Sequence, residues 1–430
     1  MRIVKKYVIG YFLEISIFII LLFLVNVNIT KEEIKNNVEK SAVTFQKEGT
    51  YPIYNKNKVY LGQDNFTDSL MLNICYSLNS NNSMSSIMEM DYMMEQDGSF
   101  NSIDDLSVLT KNSDLVRVSY ARYWHGYIIV IKPLLKLFSY SEIRMILFVG
   151  LYILITIFLF RLGKKIGWRA VCIYFLSFLM ININRLWLSI QYANVFIPTI
   201  IIMILLTLEK DERLFSNFNY YSFLAGGIIC FFDLLTTPLI SIGLMLSYYL
   251  LYFIVKKRVE VIQLMKKSVL AILSWGIGYA MIWGTKWIIA SVILRKNILL
   301  DAFNSAQTRT SIIPDGFSKM DWIKYTLKSN LYYLFEGDYK KEIVFIVVVI
   351  LLLSVVFYHK TLDIEKLKYA SLFVILGSLP YLWYLILSNH SGIHAFFSFR
   401  NQIITVVCIL TLLFYSIDIK KMLGLDKKVE

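Results

Sequence analysis

Charge, proline and histidine are all scarce in this chain of 430 residues. Asp, Glu, Lys and Arg make up 17% of it, below the quarter or so typical of a soluble domain, and 57% of it is hydrophobic. An ordinary water-soluble domain is thereby excluded. With 6 prolines in all, few apolar stretches are interrupted by a helix breaker. The four cysteines are Cys75, Cys172, Cys230 and Cys408. Three of them lie inside apolar runs, which excludes a disulfide framework and offers no metal-ligand spacing. A phosphate-cradling P-loop, a dinucleotide glycine fingerprint and an HExxH metal motif are also missing, so nucleotide-driven chemistry has no site in the sequence.

What is there is a series of apolar runs, several of them near the roughly 20 residues that a helix needs to cross a bilayer. Counting them predicts about ten spans, at 7–28, 142–161, 168–185, 193–208, 221–236, 238–255, 268–292, 342–358, 368–388 and 401–419. The chain thus reads as an all-α polytopic membrane protein with two large extracytoplasmic loops. Its parts are a first transmembrane helix (1–28), an extracytoplasmic loop with interfacial helices (29–141), transmembrane helices two to seven (142–292), a second extracytoplasmic loop (293–341), and three last helices with a cytoplasmic tail (342–430). The run "GYIIVIKPLLKLFSY", with Lys132, Lys136 and a mid-run Pro133, is expected to lie along the membrane surface.

The formal net charge is +13, yet the cations cluster at the ends of the apolar runs, as they do in membrane proteins and not on a nucleic-acid-binding face. "RLGKKIGWR", "EKDERLF", "KKRVEVIQLMKK", "YHKTLDIEKLK" and "DIKKMLGLDKKVE" each contain two or more Lys or Arg, whereas the connectors around Arg185, around Thr236 and at 389–400 carry almost no positive charge. Both termini are therefore expected in the cytoplasm. Arg2, Lys5 and Lys6 precede an apolar run that is long for a signal core and has no small-x-small site after it, which points to a retained first helix.

Candidate chemistry is densest outside the spans. "GQDNFTDSLMLNICYSL" holds Asp64 and Asp68. Asp68 suits either a helix N-cap or a general base whose proton affinity is raised near lipid. "YARYWHG" packs Arg122, Tyr123, Trp124 and His125 together. The aromatics alone fit an interfacial belt. With Arg for a phosphate and His for a proton, the cluster suits a sugar attached to a phosphate. "SNHSGIHAFFSFRNQ" supplies His390, His394 and Arg400. Its Ser and Gly predict a loop, so His390 and His394 are not read as a metal pair, and Arg400 is either a phosphate ligand or a snorkelling cation. Asp233, followed by Thr236, Thr237 and Pro238, either closes a tight corner or faces an outer cavity. Lys286, between Trp283 and Trp287, suits either a phosphate or carboxylate partner or an outward-snorkelling cation, and Glu14 in the first span has no evident partner.

One span, a large acidic outer loop, many further spans and a second outer loop before the last few: this layout resembles the GT-C superfamily of integral-membrane glycosyltransferases. "FTDSLMLN", "YARYWHGY", "KPLLKLFSYSEIR", "FDLLTTPL" and "FFSFRNQ" are similar to segments of Gram-positive envelope proteins associated with that group. The resemblance implies a bacterial plasma-membrane enzyme that takes a sugar from a polyprenyl-phosphate donor among the membrane lipids and passes it to an envelope glycan or glycolipid. It implies Asp68 as the catalytic carboxylate, with Asp64 in reserve, although Asp68 lies about forty residues past the first span, further than is usual in the family. Some members hold a divalent cation with acids of this loop, so such a cation is possible at Asp64 and Asp68. No nucleic acid is expected as a partner. A polysaccharide polymerase shares the layout, while a flippase fits less well, since it would carry charges deep in several helices and small outer loops.

Overall fold

A computed structural model describes residues 2–53, 63–96, 100–111, 115–311, 313–336 and 368–416, together with Lys340 and Val344. The expected span at 342–358, Val344 apart, and the cytoplasmic tail lie outside the described residues.

The apolar runs fold as helices because a backbone without water must satisfy its own hydrogen bonds. Six described segments are long and apolar enough to cross a membrane: Ile3–Asn28, Tyr140–Lys165, Ile190–Leu208, Leu239–Lys257, Val261–Leu294 and Ala395–Tyr415. In chain order the helices of the main body are α1 (Arg2–Asn28), α7 (Tyr140–Lys165), α8 (Trp168–Met180), α9 (Ile190–Leu208), α10 (Asp211–Phe232), α11 (Leu239–Tyr252), α12 (Val261–Leu294), α15 (Ala370–Ile386) and α18 (Ile403–Ser416). The helices α8 and α15 are apolar but shorter. α9 and α11 are buried at the centre, whereas α1, α7 and α12 turn most of their apolar surface outward, as lipid-facing helices do. Several boundaries differ from the sequence expectation. α10 starts ten residues early and stops at Phe232, and α12 runs for 34 residues, about 51 Å at 1.5 Å per residue.

Glycines set the closest helix contact. A methyl on Gly226 of α10 would overlap the Trp275 carbonyl of α12, and one on Gly278 would overlap the Phe223 carbonyl. Small residues facing each other in this way let two membrane helices approach to backbone contact.

The two ends of the bundle differ in chemistry. At one end Asp211 accepts from Lys165 (3.1 Å) and Lys257 (2.6 Å), and Lys6 donates to Asn217 (2.8 Å). This end gathers the three basic connectors among the described residues, those after α7, α9 and α11. The other end is capped by the polar segment between α1 and α7, which is more structured than a set of surface helices. It contains α2 (Lys31–Glu48), α3 (Asn65–Ser77), α4 (Ser83–Glu89), α5 (Ser102–Thr110) and α6 (Ile128–Leu135). A small antiparallel pair, β1 (Tyr92–Met94) and β2 (Val116–Val118), in register Tyr92 with Val118, departs from an all-helical chain.

This cap is tied down by long-range polar contacts. Arg144 of α7 forks onto Glu48 of α2 at 3.1 and 2.9 Å. Asn26 of α1 accepts from Lys132 of α6 at 2.7 Å and donates to Ser83 of α4 at 2.9 Å. α6 thus packs against α1 with Lys132 buried, where the sequence suggested a segment lying on the membrane surface. The second polar segment forms α13 (Ile298–Ser311) and α14 (Lys319–Phe335). The stretch expected as a loop near 389–400 is helical, as α16 (Ser388–Ile393) and α17 (Ala395–Ser398). Gly392 there abuts Trp322 of α14, so a Cβ would lie 2.5 Å from that ring.

Candidate functional site

Asp64 and Asp68 sit one turn apart on α3, and the structure gives them different work. Asp68 is fully buried, and its two oxygens take four donors. Oδ2 accepts from the Tyr140 hydroxyl (2.8 Å), the Ser189 hydroxyl (2.8 Å) and the Ile190 N–H (2.7 Å), and Oδ1 accepts from the Gln191 N–H (3.0 Å). Ile190 and Gln191 open α9. Their N–H groups have no partner within the helix, and the positive end of the helix dipole favours an anion. Asp68 therefore caps a helix more than a hundred residues away. Burial raises its proton affinity, to about 6, against the pull of these donors.

Asp64 caps its own helix and faces a cavity. Oδ1 accepts from the Thr67 N–H (3.0 Å), and Oδ2 from the Thr67 hydroxyl (2.9 Å) and the Gln191 side-chain amide. The helix thus starts at Asn65, one turn ahead of the N-cap position that the sequence suggested at Asp68. Burial pushes Asp64 up to about 7. Its bond from Thr67 works against that, and the neighbouring Asp68 charge adds to it.

The cavity has a volume of about 160 Å³, and Asp68 is not part of its lining. α3 contributes Asp64 and Thr67, the YARYWHG turn contributes Tyr120 and His125, α9 contributes Gln191, the 233–238 corner contributes Leu234 and Thr236, and α16 and the start of α17 contribute His390 and His394. It is smaller than the roughly 300–1,000 Å³ of sites that engulf a drug-sized ligand, so it has room for one ring and not for a chain of them. Hydroxyls, imidazoles, an amide and aromatic faces surround Asp64, and among the described residues the lining holds no Lys or Arg and no second carboxylate. That is a lining for a neutral, hydroxyl-rich ligand.

The YARYWHG turn is held from both sides. Trp124 donates its indole N–H to the Ile282 carbonyl (2.9 Å), and the Gly126 N–H bonds to the Phe231 carbonyl (2.8 Å). A Cβ at Gly126 would meet the Phe231 ring and carbonyl at 2.5 Å. Gly126→Ala is expected to cost about 1–3 kcal/mol through this overlap, read as a lowered melting temperature in detergent. His125 lies at φ +53°, in the left-handed region, and is buried. Its Nε2–H donates to the Tyr120 carbonyl and its Nδ1 accepts from the Tyr127 hydroxyl, both at 3.1 Å. Burial foremost, with the nearby cations Lys286 and Arg122, lowers its proton affinity to about 3 against the opposing bond to the Tyr120 carbonyl, so it lines the cavity as a neutral ring. Tyr123 stacks on Trp283 at 5.8 Å.

The cationic candidates lie elsewhere. Lys286 is buried and donates to the Ile87 (2.9 Å) and Met88 (3.0 Å) carbonyls at the end of α4, where a cation suits the helix dipole. Arg122 lies over the Tyr120 ring (4.4 Å) and pairs with Asp301 of α13 (3.3 Å). Asp233 closes the corner after α10: it accepts from the Thr236 N–H (2.8 Å), the Thr236 hydroxyl (2.7 Å) and the Tyr279 hydroxyl (3.1 Å), and in doing so presents Leu234 and Thr236 to the cavity. His390 donates from Nε2 to the Leu235 carbonyl (2.8 Å), and His394 stacks on Phe397 at 5.1 Å.

Arg400 remains. It is 2% exposed, its guanidinium lies 4.4 Å over the ring of Tyr192, and one terminal nitrogen donates to the Phe396 carbonyl at 3.2 Å. Its Nε has no hydrogen-bond partner among the described residues. An apolar groove of about 190 Å³ is lined by Met180, Leu334, Tyr381, Thr405, Val406 and Ile409 among others, and its Tyr381 hydroxyl bonds Gln402, two residues on from Arg400, at 3.3 Å. Gln191, Tyr192 and Tyr140 escaped the sequence reading. The signal was a Gln inside the apolar run "LSIQYANVF".

N–H and O–H donors on both Asp68 oxygens are the wrong chemistry for a cation shared between the two carboxylates. No group of three or more His, Cys, Asp and Glu among the described residues is arranged to hold a metal. No protein-family model, curated protein or solved structure matches the chain.

Proposed function

We propose that this membrane protein is a glycosyltransferase that moves one sugar from a polyprenyl-phosphate donor to an envelope glycan or glycolipid at the outer face of a bacterial plasma membrane, with Asp64 as general base. The observation that carries the reading is Asp64 itself, a buried carboxylate opening on a one-ring cavity whose described lining is free of Lys and Arg and rich in aromatic and hydroxyl groups. Asp64 takes the acceptor hydroxyl proton as the acceptor oxygen bonds to the anomeric carbon. The bond from that carbon to the phosphate oxygen breaks, and the electron pair leaves with the lipid phosphate. The basic connectors after α7, α9 and α11 meet at the end of the bundle opposite the cavity, which supports an outward-facing site through the cytoplasmic bias of Lys and Arg.

Two observations support the lipid-phosphate donor. Arg400 is a buried guanidinium with an unpartnered Nε, and it touches Tyr192, the neighbour of the Asp64 ligand Gln191. The apolar groove beside α18 suits an isoprenoid chain. Loss of a charge-assisted hydrogen bond costs about 1.5–3 kcal/mol. Arg400→Gln should therefore raise the KM for the lipid donor about 10- to 100-fold, with little change in the acceptor KM, measured by initial rates in proteoliposomes.

The sugar composition and chain length of envelope glycans, with and without the protein, test the function as a whole. Loss of one side-branch sugar at normal chain length is the expected result. Collapse to single repeat units would assign the protein to polymerisation instead, and unchanged glycans would remove both readings.

A further inference from the structure

α1 carries one ionisable side chain in the middle of its apolar run, and the proposed transfer does not use it. Glu14 is 7% exposed, and among the described residues neither of its carboxyl oxygens has a hydrogen-bond partner. Oε2 rests against α10 where that helix has no side chain: a Cβ at Gly227 would lie 2.5 Å from Oε2 and 3.0 Å from Ile282 of α12. One turn earlier the pattern is reversed, with Gly10 of α1 receiving the Tyr220 hydroxyl of α10. The titratable groups of α10 within reach of Glu14 are that phenol and the Cys230 thiol, α12 presents Ile282, and no cation faces the carboxyl among the described residues.

An ionised carboxylate with no partner, between helices and away from water, is strongly disfavoured, whereas the neutral acid fits the same space at little cost. We propose that Glu14 is a proton-binding site within the bilayer, occupied while α1 is seated on α10, and that its deprotonation loosens this seam and, through it, the back wall of the outer cavity. The connection to the cavity is continuous. Phe18, one turn beyond Glu14, stacks on Phe231 at 4.0 Å with the rings 7° apart. The Phe231 carbonyl holds the Gly126 N–H of the YARYWHG turn at 2.8 Å, and two residues later Asp233 begins the corner that lines the cavity. A carboxylate charge facing Gly227 would drive α1 away from α10 and take Phe18 with it. The proposal does not depend on the transferase reading.

The test uses the full chain in lipid vesicles. Glu14→Gln preserves the shape of the neutral acid, so the infrared difference between wild type and this variant at neutral pH should show loss of a carboxylic-acid carbonyl band. Loss of a carboxylate band instead would overturn the proposal. A lipid-soluble carbodiimide reads the same state without a substitution. The acid O–H adds across the carbodiimide C=N bond and the adduct rearranges to an N-acylurea with nothing leaving, so the peptide containing Glu14 gains the full reagent mass. An adduct at neutral pH supports the site, and one formed only in the pH range where exposed carboxylates are protonated refutes it. Hydrogen exchange at the Gly126 amide tests the coupling. After division by the intrinsic, base-catalysed rate, protection should fall in wild type at the pH where the acid band disappears and persist in Glu14→Gln; an equal loss of protection in both proteins would remove the coupling.

Discussion

Asp64→Asn is expected to lower sugar transfer by about 10²- to 10⁴-fold while leaving the protein folded. Asn still accepts the Thr67 N–H and still caps α3, since Asn and Asp are comparable N-caps, so yield and melting temperature should stay near wild type. What is lost is the capacity to take a proton. The pH dependence has a definite sign. A general base acts in its ionised form, and burial has raised Asp64 to about 7, so the wild-type rate should climb as pH rises through about 7 and then level off. Transfer of a radiolabelled sugar in isolated membranes across that range measures both effects. A wild-type rate in the Asn variant, or a rate that falls through the same range, would exclude Asp64 as the base.

Asp68→Ala should give the opposite result, loss of the fold before loss of chemistry. It leaves the Tyr140 and Ser189 hydroxyls and the Ile190 and Gln191 N–H groups without their acceptor. Each buried donor left unsatisfied costs about 1–3 kcal/mol. Even with substantial relaxation, several kcal/mol is a large part of the roughly 5–15 kcal/mol that holds a domain together. The variant should fail to accumulate, or melt far below wild type in detergent. Asp68→Asn should fall in between, because its amide keeps one acceptor oxygen but turns an NH₂ toward donors. A stable Asp68→Ala protein lacking only activity would return the base to Asp68 and demote Asp64 to a cap.

This division of labour could not be read from the chain. Asp64 and Asp68 have nearly the same neighbours in sequence, and the family resemblance favoured Asp68. The donors that occupy Asp68 come from residues 72 to 123 positions away, at the starts of α7 and α9. The cations were ambiguous for the same reason. Arg122, Lys286 and Arg400 looked equivalent as phosphate ligands, yet one pairs with Asp301, one closes the end of α4, and the last keeps an unpartnered nitrogen in the interior. The helices at 388–398 were hidden by a Ser-Gly pair that predicts a loop in isolation. There α14 supplies partners for the segment: the Trp322 indole donates to the Ser388 carbonyl and the Asn330 amide to the Ser391 carbonyl.

The sequence by itself determined the membrane character, the apolar helices, the basic connectors and the polar segment that carries both acids. Hydropathy and helix length are sums over neighbouring residues, so they survive without knowledge of the fold. Only the tertiary structure decided which carboxylate faces an open cavity and which is consumed in capping a helix. A side chain's chemistry depends on the donors, charges and water excluded around it, and here those are brought together from helices far apart in the chain.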